Sequence, residues 1–112
     1  MWATEYIKVL HRGEAVQFRP RGHSMTGLIN DGQLVTVEPV YPHNNKRGLV
    51  VLHTGDIVLC EVGRKQYLHL IKARAWDDGL DEYRYQIGNN KGGINGWVML
   101  EDIHGVCTKV ED

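Results

Sequence analysis

The segment Ile57–Ala75 (IVLCEVGRKQYLHLIKARA) decides the fold class of this chain. Its first part, Ile57–Val62, is almost entirely apolar, and Tyr67–Ala75 is a second run rich in apolar residues. Between them lies Gly63–Gln66, a short charged turn that begins with glycine. Two such runs joined by a short turn are typical of an antiparallel β-hairpin.

Similar short apolar runs, separated by turn residues, continue on both sides of this hairpin. We predict further strands at Val16–Arg19, Gln33–Pro39, Leu49–His53, Tyr83–Ile87, Trp97–Leu100 and Ile103–Val110. Thr4–His11 is predicted to be a helix with Thr4 as its N-cap, and Met25–Ile29 to be one helical turn. Polar loops are expected at 41–48 and 88–96. The fold class is therefore mostly β and antiparallel, with one or two short helices.

Composition limits the classes of protein to which the chain can belong. A length of 112 residues predicts a single domain, 1–112. With 42% hydrophobic and 24% charged residues, a disordered tail or coiled coil is excluded as the main body. The net charge of -1 argues against nucleic-acid binding as the main role, because a general nucleic-acid binder is usually strongly basic. The chain has no apolar run of about 20 residues, as a membrane span needs, and no signal peptide is recognised. We therefore expect a soluble, cytoplasmic protein without a membrane partner.

The cysteines and histidines do not predict a metal or a cofactor. Cys60 and Cys107 are far apart and fit no metal-binding or redox spacing, so we expect two reduced, buried thiols. The six histidines fit no local ligand motif either. We expect neither metal nor cofactor.

Ser24 is the first residue that suggests chemistry. It lies in the segment RGHSM (21–25), between a predicted strand and a turn, where its hydroxyl is expected to be exposed. The backbone N–H groups of His23 and Ser24 are candidates for stabilising an oxyanion at such a corner. A serine in a glycine-containing turn is otherwise an ordinary turn residue, and it becomes a nucleophile only beside a base.

Several segments, taken in order, resemble the LexA and type I signal peptidase group of serine peptidases. They are RGHSM (21–25), DG (31–32), GDIV (55–58) with the hairpin that follows, GNN (88–90) and DIHG (102–105). The resemblance runs from about Val16 to Lys109. It implies a LexA/signal peptidase-like antiparallel β domain in which Ser24 is the nucleophile and the return strand of the hairpin carries the base.

Two residues on the return strand are candidates for the base, His69 and Lys72. Counting from Gly55 with the family spacing leads to His69, whereas Lys72 requires an insertion of three residues. Alternate residues of a strand share one face, so His69 and Lys72 point to opposite faces. Lysine is the usual base of the group, and histidine replaces it in eukaryotic and archaeal signal peptidases. An imidazole, with a pKa of about 6.5, is a competent base at neutral pH without deep burial. Lys72 remains the alternative.

Members of the group that use histidine have an aspartate that orients the ring, in the region that corresponds to 88–95. Here that region is GNNKGGIN and contains no carboxylate. Asn89, Asn90 and Asn95 are the amide candidates for orienting His69, and Asp102 is the carboxylate candidate.

These observations predict a serine peptidase that hydrolyses a peptide bond of another polypeptide through a Ser24/His69 dyad. The chain lacks the Ala-Gly and Cys-Gly dipeptides at which LexA-like repressors cut themselves, and we expect a free-standing, phage-related domain. The alternative is a catalytically inactive module that binds a protein or peptide on the same fold. A nucleic-acid-associated factor has the least support, and a homodimer is compatible with either of the first two functions.

Overall fold

The computed structural model describes residues 1–40 and 52–112. The predicted loop 41–48 and most of the predicted strand Leu49–His53 lie outside these residues. The described elements are α1 (Thr4–His11), β1 (Val16–Phe18), β2 (Leu34–Pro39), β3 (Ile57–Val62), β4 (Lys65–Asp77), β5 (Glu82–Gly88), β6 (Ile94–Met99) and β7 (Ile103–Glu111), with a 3₁₀ turn at Leu100–Asp102. The prediction of a mostly β protein with a short helix is confirmed.

The seven strands form one antiparallel sheet in the order β1-β2-β7-β3-β4-β5-β6. The hairpin that decided the fold class, β3–β4, lies inside this sheet, with β7 on one side and β5 on the other. Its register pairs Val58 with His69 and Val62 with Lys65. The backbone of His69 is therefore held by the β3–β4 ladder, one residue before the β4–β5 ladder begins at Leu70.

Buried side chains form two clusters. The first includes the buried face of α1 and contains Ala3, Ile7, Leu10, Val16, Phe18, Met25, Ile29, Val35, Val37, Leu59, Leu68 and Leu70. The second contains Val40, Leu52, Val58, Cys60, Ile71, Tyr85, Ile87, Val98 and Ile103. Neighbouring residues of β3 alternate between the two clusters, as the two-residue period of a strand requires.

The start of α1 differs from the prediction. Ala3, and not Thr4, occupies the N-cap position, and no side chain caps the helix. Thr4 Oγ1 instead accepts a hydrogen bond from Gln66 Nε2 at 3.1 Å. The Thr4 prediction was wrong because a side-chain partner 62 residues away in the chain takes the hydroxyl, which local sequence does not reveal.

The loop predicted at 88–96 is shorter in the structure. β5 continues to Gly88, β6 already begins at Ile94, and the segment between them is a tight turn in which Asn89 N–H donates to the Gly93 carbonyl at 2.9 Å. Asn95 therefore lies on a strand rather than in a loop, which gives its side chain a defined direction. Within the described part of the chain, no helix is long and apolar enough to cross a membrane.

Candidate active site

Ser24 lies at the corner between β1 and β2. Gly22 opens this corner with a φ of +110°, a conformation that glycine adopts without steric cost. Its N–H donates to Asp31 Oδ1 at 2.7 Å, which ties the two ends of the loop together. Met25, the next residue after Ser24, is buried in the first cluster, while Ser24 itself is exposed. The buried methionine thus anchors the corner and leaves the serine hydroxyl accessible.

The turn between β5 and β6 holds the serine corner from the other side. Asn90 N–H donates to the Ser24 carbonyl at 2.9 Å, and Asn90 Nδ2 donates to the Thr26 carbonyl at 2.8 Å. Gly27 faces this amide closely, because a Cβ on Gly27 would lie 3.3 Å from Asn90 Nδ2. Asn90 therefore positions the Ser24 segment through its backbone and side chain.

His69 links the serine corner to β6. Its Nε2 lies 3.2 Å from Ser24 Oγ, and its Nδ1 lies 2.7 Å from Asn95 Oδ1. The residue is only 7% exposed. The ring of Tyr67, two residues earlier on β4, stacks on it with centroids 4.9 Å apart and planes at 30°. Ser24, His69 and Asn95 thus form a continuous hydrogen-bonded line, which we call the serine line.

The partners of His69 determine which nitrogen carries the proton. The Asn95 amide oxygen is an acceptor, so the neutral ring donates from Nδ1 and leaves Nε2 free to accept the Ser24 hydroxyl proton. Burial lowers the pKa of His69 below its ordinary value of 6.5, and the hydrogen bond to Asn95 partly opposes this effect. At neutral pH the imidazole is therefore uncharged and able to act as a base.

The other candidates for orienting His69, and the alternative base, make different contacts. The side chain of Asn89 accepts from the N–H groups of Lys91 and Gly93, each at 2.8 Å. Lys72 Nζ donates to the Asn89 carbonyl at 3.0 Å. Asp102 Oδ2 accepts from Met99 N–H at 3.3 Å, within the 3₁₀ turn. The structure therefore does not bring Lys72 to Ser24, and it brings neither Asn89 nor Asp102 to His69.

Four backbone N–H groups of the segment 21–25 have no hydrogen-bond acceptor among residues 1–40 and 52–112, and Gly22 is the one residue of the segment whose N–H has one. The four include His23 and Ser24, the pair predicted for an oxyanion hole, and the other two are Arg21 and Met25. The His23 carbonyl, in contrast, accepts from Thr26 N–H and Thr26 Oγ1 at 3.2 and 2.9 Å, which fixes the peptide plane that follows His23. Ser24 N–H belongs to that fixed peptide unit.

A cavity of about 630 Å³ opens beside Ser24 and His69. One wall is aromatic and comes from the turn before α1, from α1 and from β1: Trp2, Tyr6 and Phe18. Tyr67 and Leu68 of β4 contribute a second wall. The aromatic wall was not predicted, because Trp2 is 22 residues from Ser24 in the chain. The aromatic residues were the available signal, but their meeting place depends on the tertiary fold.

The two cysteines and the possible metal ligands are the other groups that could carry chemistry. Cys60 is fully buried, and burial, with lesser effects of Asp102 and Glu61, raises its pKa to about 12, so it is not a nucleophile at neutral pH. Both cysteines are free thiols, but the expectation that both are buried was wrong for Cys107, which is only partly buried. Across 1–40 and 52–112, no three His, Cys, Asp or Glu side chains meet in a way that could hold a metal ion.

Comparison of the chain with protein-family models, with curated proteins and with solved structures finds no match in any of the three.

Proposed function

We propose that this chain is a serine peptidase similar to the LexA and signal peptidase group, and that it hydrolyses a peptide bond of another polypeptide. Ser24 is the nucleophile, His69 the general base and Asn95 the residue that orients the imidazole. The observation that carries the proposal is the serine line, with Ser24 Oγ 3.2 Å from His69 Nε2 and Asn95 Oδ1 2.7 Å from His69 Nδ1.

The first half of the reaction forms an acyl-enzyme. Ser24 Oγ attacks the peptide carbonyl carbon while its proton moves to His69 Nε2. The negative charge on the carbonyl oxygen is stabilised by the N–H groups of His23 and Ser24, which have no acceptor among the described residues. The C–N bond then breaks, and His69 gives its proton to the leaving amine. The substrate's acyl group remains bound to Ser24 as an ester.

The second half restores the free serine. A water molecule attacks the ester carbonyl and transfers a proton to His69 Nε2. The bond to Ser24 Oγ breaks, the oxygen takes the proton back from His69, and a carboxylic acid leaves. The sum is hydrolysis of one peptide bond, with the protein unchanged.

Asn95 fixes the tautomer of His69 but carries no charge. In both halves of the reaction His69 becomes an imidazolium, and an amide stabilises that cation less than a carboxylate does. We therefore expect slow turnover compared with a serine peptidase that has an aspartate at this place. The same feature favours a second candidate function, a module that binds a protein or peptide in the cavity and does not cleave it.

A fluorophosphonate probe separates the two functions. The probe reacts with an activated serine because Ser24 Oγ attacks phosphorus and fluoride leaves, so no knowledge of the substrate is required. We expect covalent labelling at pH 7.5, with the adduct assigned to Ser24 by peptide mass spectrometry. Ser24→Ala should remain unlabelled.

The control is the same measurement on Thr108→Ala, which removes an exposed hydroxyl of β7 outside the cavity lining. That variant should still be labelled at Ser24. If the wild-type protein remains unlabelled between pH 6 and 9, or if the adduct lies on another residue, the peptidase proposal fails and the binding module replaces it.

A further inference from the structure

The residues that line the cavity beside the serine line indicate which kind of ligand fits it. Its aromatic wall is a packed unit: Tyr6 and Phe18 stack with centroids 4.3 Å apart and planes at 11°, and Trp2 meets Phe18 edge-on at 5.8 Å. Phe18 is 7% exposed and belongs to the core, whereas Trp2 is 51% exposed. A half-exposed indole beside the buried Phe18 and the partly buried Tyr6 provides apolar surface that remains to be covered.

The wall is fixed to the strand that carries His69. Trp2 Nε1 donates to the Gln66 carbonyl at 3.1 Å, and Ala3 N–H donates to Gln66 Oε1 at 2.8 Å. Gln66 lies three residues before His69 on β4. The aromatic wall is therefore attached to β4 through Gln66, and His69 of the serine line lies on the same strand. A pocket held in this way needs little reorganisation when a ligand enters.

Charge at the cavity is positive among the described residues. Arg19 and Arg21 line it, and no described carboxylate does. Arg19 Nη1 donates to the Gly32 carbonyl at 2.8 Å, whereas Arg21 makes neither a hydrogen bond nor an ion pair to a described residue. Asp31 on the same loop is a nearby counter-charge, and its carboxylate already accepts the Gly22 N–H. A ligand with a carboxylate complements the two arginines.

We infer that the cavity binds a polypeptide segment with a large aromatic or aliphatic side chain and an adjacent acidic residue. The apolar side chain lies against Trp2, Tyr6 and Phe18, and the acidic residue lies beside Arg21. The inference rests on the proposed function for the class of ligand, a polypeptide, and it adds the side chains that select it. A volume of about 630 Å³ is within the usual range for a ligand pocket.

The test measures binding to the Ser24→Ala protein, so that it does not depend on catalysis. The probes are three capped peptides, Ala-Asp-Phe-Asp-Ala, Ala-Asp-Ala-Asp-Ala and Ala-Lys-Phe-Lys-Ala, titrated while tryptophan fluorescence and heat are recorded. Burying one phenylalanine side chain contributes about 1.5–3 kcal/mol. We therefore expect the first peptide to bind more than about tenfold tighter than the second. The third should also bind more weakly than the first.

Two pairs of variants locate the binding. Trp2→Ala should weaken binding of the phenylalanine peptide by about tenfold, while Trp97→Ala, which removes another half-exposed indole outside the cavity lining, should not. Arg21→Glu should weaken it and reverse the preference for aspartate over lysine, while Arg64→Glu, the same change of charge outside the lining, should not reverse it.

The outcomes distinguish this inference from the proposed function. Equal binding of the phenylalanine and alanine peptides, or no binding of either, overturns the inference even if the fluorophosphonate labels Ser24. Selective binding that Trp2→Ala and Arg21→Glu both impair supports it even if Ser24 is never labelled, and the protein is then the binding module.

Discussion

Two buried histidines of this sheet are each held by a pair of side chains, and they differ in what those side chains are. His69 lies between Ser24 and Asn95 in the serine line. His104 lies between Glu61 and His11: its Nε2 is 3.0 Å from Glu61 Oε1, and its Nδ1 is 2.9 Å from His11 Nε2. We call this second arrangement the carboxylate line.

The two histidines have similar surroundings. They are 7% and 8% exposed, and burial lowers the pKa of each. For His104 the neighbouring His11 lowers the pKa further, while Glu61 opposes both effects. The charged partner that a hydrolytic histidine usually has is thus present in the protein, but on His104.

The serine line and the carboxylate line differ in the group that faces the second ring nitrogen of the histidine. Nε2 of His69 faces a hydroxyl at an exposed corner beside a cavity. Nδ1 of His104 faces another imidazole, at the last turn of α1, and neither ring lines the cavity. A buried histidine held by two side chains therefore occurs twice in this sheet, and it is not by itself a sign of catalysis. Chemistry requires the nucleophile and the space for a substrate as well.

The largest expected effect is the loss of Ser24 labelling when His69, and not His104, is replaced. His69→Ala removes the general base, and the rate of fluorophosphonate labelling at Ser24 should fall by about 10²–10⁴-fold. His104→Ala removes a ring of the same size and burial and should leave the rate nearly unchanged if the protein remains folded, which circular dichroism can check. Equal losses in both variants would mean that the rate reports folding and not catalysis.

Changes to Asn95, the partner of His69, should alter the rate of Ser24 labelling, whereas a change to Glu61, the partner of His104, should not. Asn95→Ala removes one hydrogen bond to His69, worth about 1–1.5 kcal/mol, and labelling should slow by about tenfold. Asn95→Asp supplies a carboxylate, so the pKa of His69 should rise, and labelling at pH 9, above the raised midpoint, should be faster than in the wild-type protein. Glu61→Ala is the control on the carboxylate line and should not change the rate. A slower Asn95→Asp variant at pH 9 would contradict the orienting role of Asn95.

Both histidines should make the fold less stable in acid. A histidine whose pKa is lower in the folded protein takes up its proton more readily after unfolding, so protonation favours the unfolded chain. The stabilisation is fully present above about pH 6.5, the ordinary value, and is lost as pH falls toward the lowered folded pKa. We expect urea unfolding to show a lower free energy of unfolding at pH 5.5 than at pH 7.5. His104→Gln and His69→Gln should each reduce this dependence, and an unchanged slope in both would contradict the assignment.

The smallest effect is expected for Lys72. Its ammonium group donates to the Asn89 carbonyl, so Lys72→Ala should lower stability by about 1 kcal/mol, measured by urea unfolding. The labelling rate should change by less than about twofold, because the change lies outside the serine line. A loss as large as that of His69→Ala would make Lys72 the base.

Much of the sheet was predictable because apolar runs and turn residues mark it locally. α1 matches its predicted bounds, Thr4–His11, and β3 matches its predicted bounds, Ile57–Val62. β4 is longer than predicted, because its polar ends at Lys65 and Asp77 pair with β3 and β5 and only the fold supplies those partners. The cap of α1 was missed for a similar reason.

The candidate site was predictable in part. Ser24 and His69 came from the order of segments and from the alternation of a strand. The sequence could not select Asn95 from four candidates, because the choice depends on a register shift between Ile87 and Gly88 that places β6 against β5. Gly88 allows that approach, since a Cβ there would lie against the Gly93 carbonyl. The aromatic wall was missed because it depends on a contact between Trp2 and Gln66.

The pH dependence of Ser24 labelling in the wild-type protein shows whether His69 is the base. If neutral His69 accepts the Ser24 proton, the rate should rise along a single titration with a midpoint below about 6.5 and stay level from pH 7 to 9. In Asn95→Asp the midpoint should move to higher pH. A rate that is negligible at pH 7 and keeps rising through pH 9, as a lysine base or hydroxide would produce, would contradict the account.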